Sequence, residues 1–135
     1  KLISIATSLA ILKSIQALVT SGVKIKWPND ILINNKKVCG ILIEASVQQR
    51  IRSAQNVIIG IGININNDNF APEIESTATS LKKECGQIID RNLVVVQILN
   101  SLKMLLLKDS KEMFNDYLAN LEEKSLSKMS QYNVF

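Results

Sequence analysis

The chain has 135 residues, 47% of them apolar, with a formal net charge of +4 from 16 basic and 12 acidic side chains. That length and composition describe one globular domain with one hydrophobic core, and they exclude a disordered chain. The basic residues are scattered (Lys24, Lys26, Lys36, Lys37, Arg50, Arg52, Lys82, Lys83, then a dilute spread to Lys128) with few aromatics between them, which argues against nucleic-acid binding by this segment.

Leu2, Ile5, Ala6, Leu9, Leu12, Ile15 and Val19 recur at helical spacing, so residues 2 to about 20 read as one helix with a buried face, ended by Ser21-Gly22. Ser4, Thr7, Ser8, Lys13, Ser14 and Gln16 make it too polar for a signal peptide or a membrane span. VKIKW alternates with period two and reads as a strand, which Pro28 ends because proline has no N–H for a ladder. DILIN is a second short strand and KVCGILIEA a third, joined in a hairpin at Asn34-Asn35, since Asn tolerates the left-handed region. VQQRIRSAQ reads as a polar loop or strand edge, and NVIIGIGININ as a β-branched strand buried in the sheet. A loop covers residues 66–72, and STATSLKKECG is a short helix with Gly86 just past its end. Asp90 caps a helix over RNLVVVQILNSLKMLLLK, with apolar positions Leu93, Val96, Leu99, Leu102 and Leu106. SKEMFNDYLANLEE, capped by Ser110, is the last helix, and the signal fades after Ser125 towards a cut or frayed end. This order of elements is that of an α+β domain.

The chain holds no His, and Cys39 and Cys85 form no CxxC pair, which excludes a zinc site of usual spacing and any Ser-His or Cys-His nucleophile. Two reduced thiols in a cytosolic protein fit this usage. The stretch KIKWPND holds the one Trp beside one of two prolines, and its Pro-Asn-Asp corner exposes two short polar side chains between strands. Lys37 lies seven residues past Asp30, across the turn, where a hairpin brings the two near facing register. Such a pair can orient an amine or neutralise a phosphate; the alternative is a solvated hairpin Lys beside an Asn-Asp turn. Strict alternation puts Lys37 and Gly40 on opposite faces, so a ligand shared by both needs a bulge between them or the backbone of Gly40. In GIGIN, Gly60 and Gly62 let a ligand lie flat against a strand, although the third glycine of a dinucleotide fingerprint is missing. Asn64 and Asn66 point to one face and can pair with a nucleobase edge, unless they simply open an Asn-rich loop.

KWPND followed by KKVCGILIE and then by IIGIGININ resembles biotin–protein ligase, over essentially the whole chain. The resemblance implies a mixed β-sheet flanked by helices, related to class II aminoacyl-tRNA synthetase cores. It implies synthesis of biotinyl-5′-AMP from biotin and ATP with Mg²⁺, then transfer to a lysine of a carboxylase's biotin carboxyl carrier domain. The setting it implies is cytoplasmic; a homodimer is compatible with it, and no membrane or nucleic-acid partner of this segment is implied. Carried over by motif, Lys37 contacts the biotin carboxylate and the reacting phosphoryl group. Asn29 and Asp30 sit by the adenylate and the incoming lysine, and Asp30 orients or deprotonates that amine. Gly40 and Leu42 line the biotin pocket, Gly60 and Gly62 flank it, and Ile63 and Asn64 meet the adenine; no residue is assigned to a metal. The family's Gly-Arg-Gly-Arg-type loop and its C-terminal barrel have no counterpart in this sequence, which begins with Lys and not Met. Residues 1–125 therefore read as part of a catalytic domain and 126–135 as a truncated tail, and the chain alone is expected to have little or no ligase activity. Lipoate–protein ligase shares the fold and an Asn-Asp…Lys-x-x-Gly skeleton, but the Trp-Pro pair and the GIGINxN run favour biotin. A non-catalytic interaction fragment is the competing reading of a different class.

Overall fold

A computed structural model describes residues 2–20, 22–47 and 55–131. The chain runs α1 (Leu2–Gln16), β1 (Val23–Lys26), β2 (Asp30–Ile33), β3 (Lys36–Val47), β4 (Gln55–Ile63), α2 (Leu81–Cys85), α3 (Arg91–Leu106), α4 (Ser110–Ala119) and α5 (Glu123–Gln131). Most of the polar stretch between β3 and β4, and Ser21 at the expected end of the first helix, lie outside the described residues.

The hydrophobic core forms around α1, which packs on β1 and β2 on one side and on α3 and α4 on the other. Ala6, Leu9, Ala10, Ile11, Leu12 and Ile15 are buried. The buried hydroxyls of Thr7 and Ser14 donate to the carbonyls of Ile3 and Ala10, one turn back, so burial leaves neither unpaired. The helix stops at Gln16, short of the expected residue 20, because Leu18 and Val19 both donate to the Ile15 carbonyl and tighten the chain into a turn. Val19 stays buried, which is why helical spacing extends past the helix itself.

The strands form one antiparallel meander in the order β1-β2-β3-β4, and parallel pairing enters at two isolated bridges, Ile25 with Leu121 and Lys37 with Ala78. The β2–β3 turn is the expected one, with Asn34 and Asn35 at φ 49° and 65°, the left-handed pair whose twist suits a two-residue hairpin. β4 departs from expectation. It is an outer strand of this sheet and not a buried one, with Ile58 65% exposed, because no described strand pairs with its far side.

The helices correct the sequence reading in three places. Asp90 does cap α3, but the buried stripe is Val94, Ile98 and Leu105, while Leu93, Val96, Leu99 and Leu106 face outwards. The helix is apolar nearly all round, so spacing alone cannot choose its inner face. Next, the cap of α4 is Asp109, whose carboxylate accepts from the N–H groups of Lys111 and Glu112. Finally, order continues past Ser125. The chain breaks at residues 120–122 to bond with both backbone groups of Ile25, then resumes as α5, which buries Ser125 and Met129.

Candidate functional site

The Pro28-Asn29 corner delivers Asp30 to the start of β2, opposite Gly40 of β3. Ile31 faces Cys39 and Leu32 faces Lys37, so Val38 is an extra residue in β3. This bulge turns the Lys37 side chain onto the face of Gly40, as a shared ligand would require. Lys37 Nζ lies 2.7 Å from Asp30 Oδ1, with the lysine half exposed and the aspartate largely covered. Gly40 makes room for the pair: a Cβ there would stand 3.3 Å from both Cε and Nζ of Lys37 and 3.7 Å from Asp30 Oδ1.

Gly62 lies opposite Gly40, and Gly60 opposite Leu42. Within the sheet neither Gly60 nor Gly62 is forced by crowding, since an added Cβ would meet neighbours only at 3.6 Å or more. Their bare backbones leave an open shelf, with the exposed Leu42 side chain beside Gly60. A cavity of about 460 Å³ opens over the nearer end of that shelf, lined by residues 37–40 and 62–64 and by Ile74, Thr77 and Ala78. Leu42 and Gly60 continue the same strand face beyond it.

The structure therefore brings Asp30, Lys37, Gly40, Gly62 and Asn64 together. Asn29 does other work: its amide donates to the Ile41 carbonyl at 3.0 Å, and Ile41 N–H donates back to its carbonyl, which locks the corner. Ile63 borders the cavity while its side chain packs against the core. Asn64 donates to the Thr79 carbonyl at 3.2 Å. Asn66 follows the second of its two readings, that of a loop residue. Its amide both donates to and accepts from the backbone of Ile89, so it braces a loop and does not turn towards a base.

Residues 77–79 were not legible as part of the site. They read as helix, yet they run extended beside Lys37: Lys37 N–H donates to the Thr77 carbonyl at 2.7 Å, and Thr79 N–H donates to the Lys37 carbonyl at 2.9 Å. The helix starts only at Leu81, with Ser80 as its cap, and a Ser directly before the first apolar residue was the available signal. Cys39 also lines the cavity; burial first, and then the Asp30 carboxylate, push its thiol up to about 12, so it stays protonated and is no nucleophile. Trp27 turns elsewhere: with Pro28, Phe114, Tyr117 and Met129 it lines a separate apolar cavity of about 260 Å³ towards α4 and α5.

A cation fixed beside a carboxylate, at the end of a glycine shelf and under a loop carrying Ile74, defines an α+β small-molecule site suited to a negatively charged group with a flat apolar body. A sequence profile of the Biotin/lipoate A/B protein ligase family matches residues 1–64, a stretch that contains every candidate site residue from Asn29 to Asn64. The bifunctional ligase/repressor BirA of Bacillus spizizenii is 45% identical over 100 residues, which is 72% of this chain and 30% of that protein. The biotin–[acetyl-CoA-carboxylase] ligase of Mycobacterium tuberculosis is 32% identical over 105 residues, covering 75% of this chain and 36% of that one. Among solved structures, the biotin protein ligase of Aquifex aeolicus in complex with biotin and ATP superposes with a TM-score of 0.75 at 27% identity, covering 89% of this chain and 50% of that one. The chain belongs to the biotin/lipoate protein ligase family, as a segment of the catalytic domain. It spans under a third of the curated Bacillus relative and half of the solved one.

Proposed function

We propose that the complete protein is a biotin–protein ligase and that this chain supplies the part of its site where the biotin carboxylate, the α-phosphate of ATP and the acceptor lysine meet. The observation that carries this reading is the 2.7 Å Lys37–Asp30 pair over Gly40, inside the KWPND…KKVCG frame. Joining a carboxylate to an α-phosphate with loss of pyrophosphate gathers negative charge at one point, and a fixed ammonium at Lys37 stabilises it best where water is excluded. In the second step the acceptor amine attacks the carbonyl of the mixed anhydride and releases AMP. The amine must be neutral to attack and sheds a proton after it, and the Asp30 carboxylate is suited to orient it or take that proton. On this reading the biotin body lies along Gly40, Leu42, Gly60 and Gly62, and the adenine lies by Ile63 and Asn64. Asn29 acts through the corner that carries Asp30.

Mg²⁺ belongs to the proposed reaction through the nucleotide. Among the described residues no three His, Cys, Asp or Glu side chains converge to hold an ion, and Asp30 is already engaged by Lys37. Phosphate oxygens and water would supply its ligands. The acceptor is a biotin carboxyl carrier domain, and the setting is cytoplasmic; among the described residues no helix is long and apolar enough to cross a membrane. A homodimer of the complete protein would show as a second species in sedimentation.

The test is to supply the complete polypeptide with biotin, ATP, Mg²⁺ and a carrier domain. Biotinyl-5′-AMP and a biotinylated carrier are the expected products, and the absence of both overturns the proposal. Because the matching family spans biotin and lipoate ligases, lipoate should be run as a competitor. Displacement of biotin by equimolar lipoate would move the assignment to lipoate.

A further inference from the structure

We propose that Glu84 is a positioning residue for Lys37, acting through Thr79 on one side of it and Asn34 on the other. The inference rests on the role given to Lys37 above. Both backbone hydrogen-bonding groups of Lys37 go to the extended segment at residues 77–79, at 2.7 and 2.9 Å, so the direction of its side chain depends on where that segment lies. Three side-chain bonds tie the segment down: Asn64 Nδ2 to the Thr79 carbonyl and Thr77 Oγ1 to the Ile74 carbonyl, both at 3.2 Å, and the shortest, from Thr79 Oγ1 to Glu84 Oε1 at 2.6 Å. The other carboxylate oxygen of Glu84 accepts from Asn34 Nδ2 at 3.1 Å. Asn34 holds the left-handed turn three residues before Lys37.

One carboxylate therefore clamps the two structures between which Lys37 is strung. The clamp is not an ordinary ion pair, because no lysine or arginine among the described residues meets Glu84. Hydrogen bonds to a charged acceptor are short and directional, and this one is partly buried, which suits it to fixing a position. Gly40 gives the Lys37 ammonium its room beside Asp30, since a Cβ there would stand 3.3 Å from it. A shift of the strand by about 1 Å would carry the ammonium off Asp30 and out of reach of the reacting groups, at a cost of up to ~100-fold in rate.

The experiment compares Thr79→Val, Thr79→Ser, Glu84→Ala and Asn34→Gly in the complete polypeptide. Val keeps the shape of Thr79 without the hydroxyl, Ser keeps the hydroxyl, and Gly keeps the left-handed turn without the amide. Two readouts are taken: kcat and KM for biotinyl-5′-AMP formation, and hydrogen exchange at the Lys37 amide without ligand. Thr79→Val and Glu84→Ala should lower kcat by ~10- to 100-fold with a smaller change in KM, and both should speed exchange at Lys37. Asn34→Gly should do the same more weakly, and Thr79→Ser should restore both readouts to within about two-fold. Wild-type kcat and unchanged exchange in Thr79→Val and Glu84→Ala overturn the proposal. A wild-type protein that forms no biotinyl-5′-AMP overturns the ligase reading instead, and the exchange arm then decides alone whether the clamp holds Lys37. If Glu84→Ala does not fold, Asn34→Gly and the Val/Ser pair at residue 79 read the same contacts.

Discussion

Lys37 and Asp30 form a pair that matters little for holding the fold together. An ion pair with one member half exposed contributes ~0–1 kcal/mol, because solvent screens it and ordering a long side chain costs entropy. Its worth lies in the position of the ammonium. Lys37→Ala should therefore leave the thermal midpoint within a few degrees of wild type while cutting biotinyl-5′-AMP formation by ~100-fold or more, the scale on which removal of a charge-stabilising donor acts. Normal turnover by that variant would remove Lys37 from the chemistry. Gly40→Ala probes the same point from below. The new methyl group would stand 3.3 Å from Lys37 Nζ, and the lysine, being flexible at its end, gives way. Adenylation should fall with stability nearly unchanged; an equal loss of both would show that Gly40 serves the strand and not the pair.

Cys39 and Tyr117 set the response to alkali. Burial pushes each up to about 12, from ordinary values of 9.0 and 10.0 that unfolding restores. The unfolded chain therefore releases these protons first. The stability they contribute is full below pH 9 and drains away as pH climbs from there through about 12. Urea midpoints between pH 8 and 11 should fall steadily, and Cys39→Ala should flatten the lower part of that slope. At pH 8 a thiol reagent followed by peptide mapping should find Cys85, which is only partly covered, ahead of Cys39, which is 1% exposed. Labelling of Cys39 in the folded protein at the rate of a free thiol would contradict its burial.

At the scale of elements, what could be read in the sequence depended on how local its cause was. The β2–β3 hairpin, the Asp90 cap and the Gly86 stop each rest on a few adjacent residues, and all three stand as expected. Proximity of Asp30 and Lys37 followed from hairpin register, and the bulge at Val38 was one of two ways foreseen for Gly40 to share their face. The loop half of the cavity was hidden, because Thr77 and Ala78 meet Lys37 through a bridge between residues some forty positions apart. Small polar residues before Leu81 carry no signal for such a partner. The inner face of α3 was hidden for another reason, an apolar surround in which two stripes obey the same spacing. Truncation distinguishes the stripes. In the 135-residue chain, Ile98→Ala should cost ~2–4 kcal/mol in urea unfolding, while Leu99→Ala, 60% exposed, should cost less than about 1 kcal/mol. Reversed costs would mean that α3 is rotated about its axis.

At the scale of the molecule, the same outward stripe makes a surface that water does not favour. Leu93, Val95, Val96 and Leu99 of α3 are more than half exposed, and so is Ile58 of β4. Between the two elements runs a groove of about 320 Å³ lined by Ile61, Ile63, Ile65, Val95 and Leu99 among others. Contiguous apolar surface on this scale drives association, and a net charge of +4 spread over the whole chain offers little repulsion to oppose it. The 135-residue chain should therefore self-associate as its concentration rises, and should bind an apolar dye in the folded state. Val95→Glu with Leu99→Glu places two charges on this face at positions 53% and 60% exposed, where they remain solvated and disturb no core contact. The double variant should sediment as a smaller species and bind less dye, with its helical circular dichroism unchanged. A wild-type chain that stays monomeric at high concentration and binds no dye would mean that the groove between β4 and α3 closes in solution. A double variant that loses helicity would mean that the outward stripe contributes to folding. Separating these outcomes requires both measurements on one sample, because association alone can follow from partial unfolding, whereas association with full helicity and dye binding can only come from the folded face.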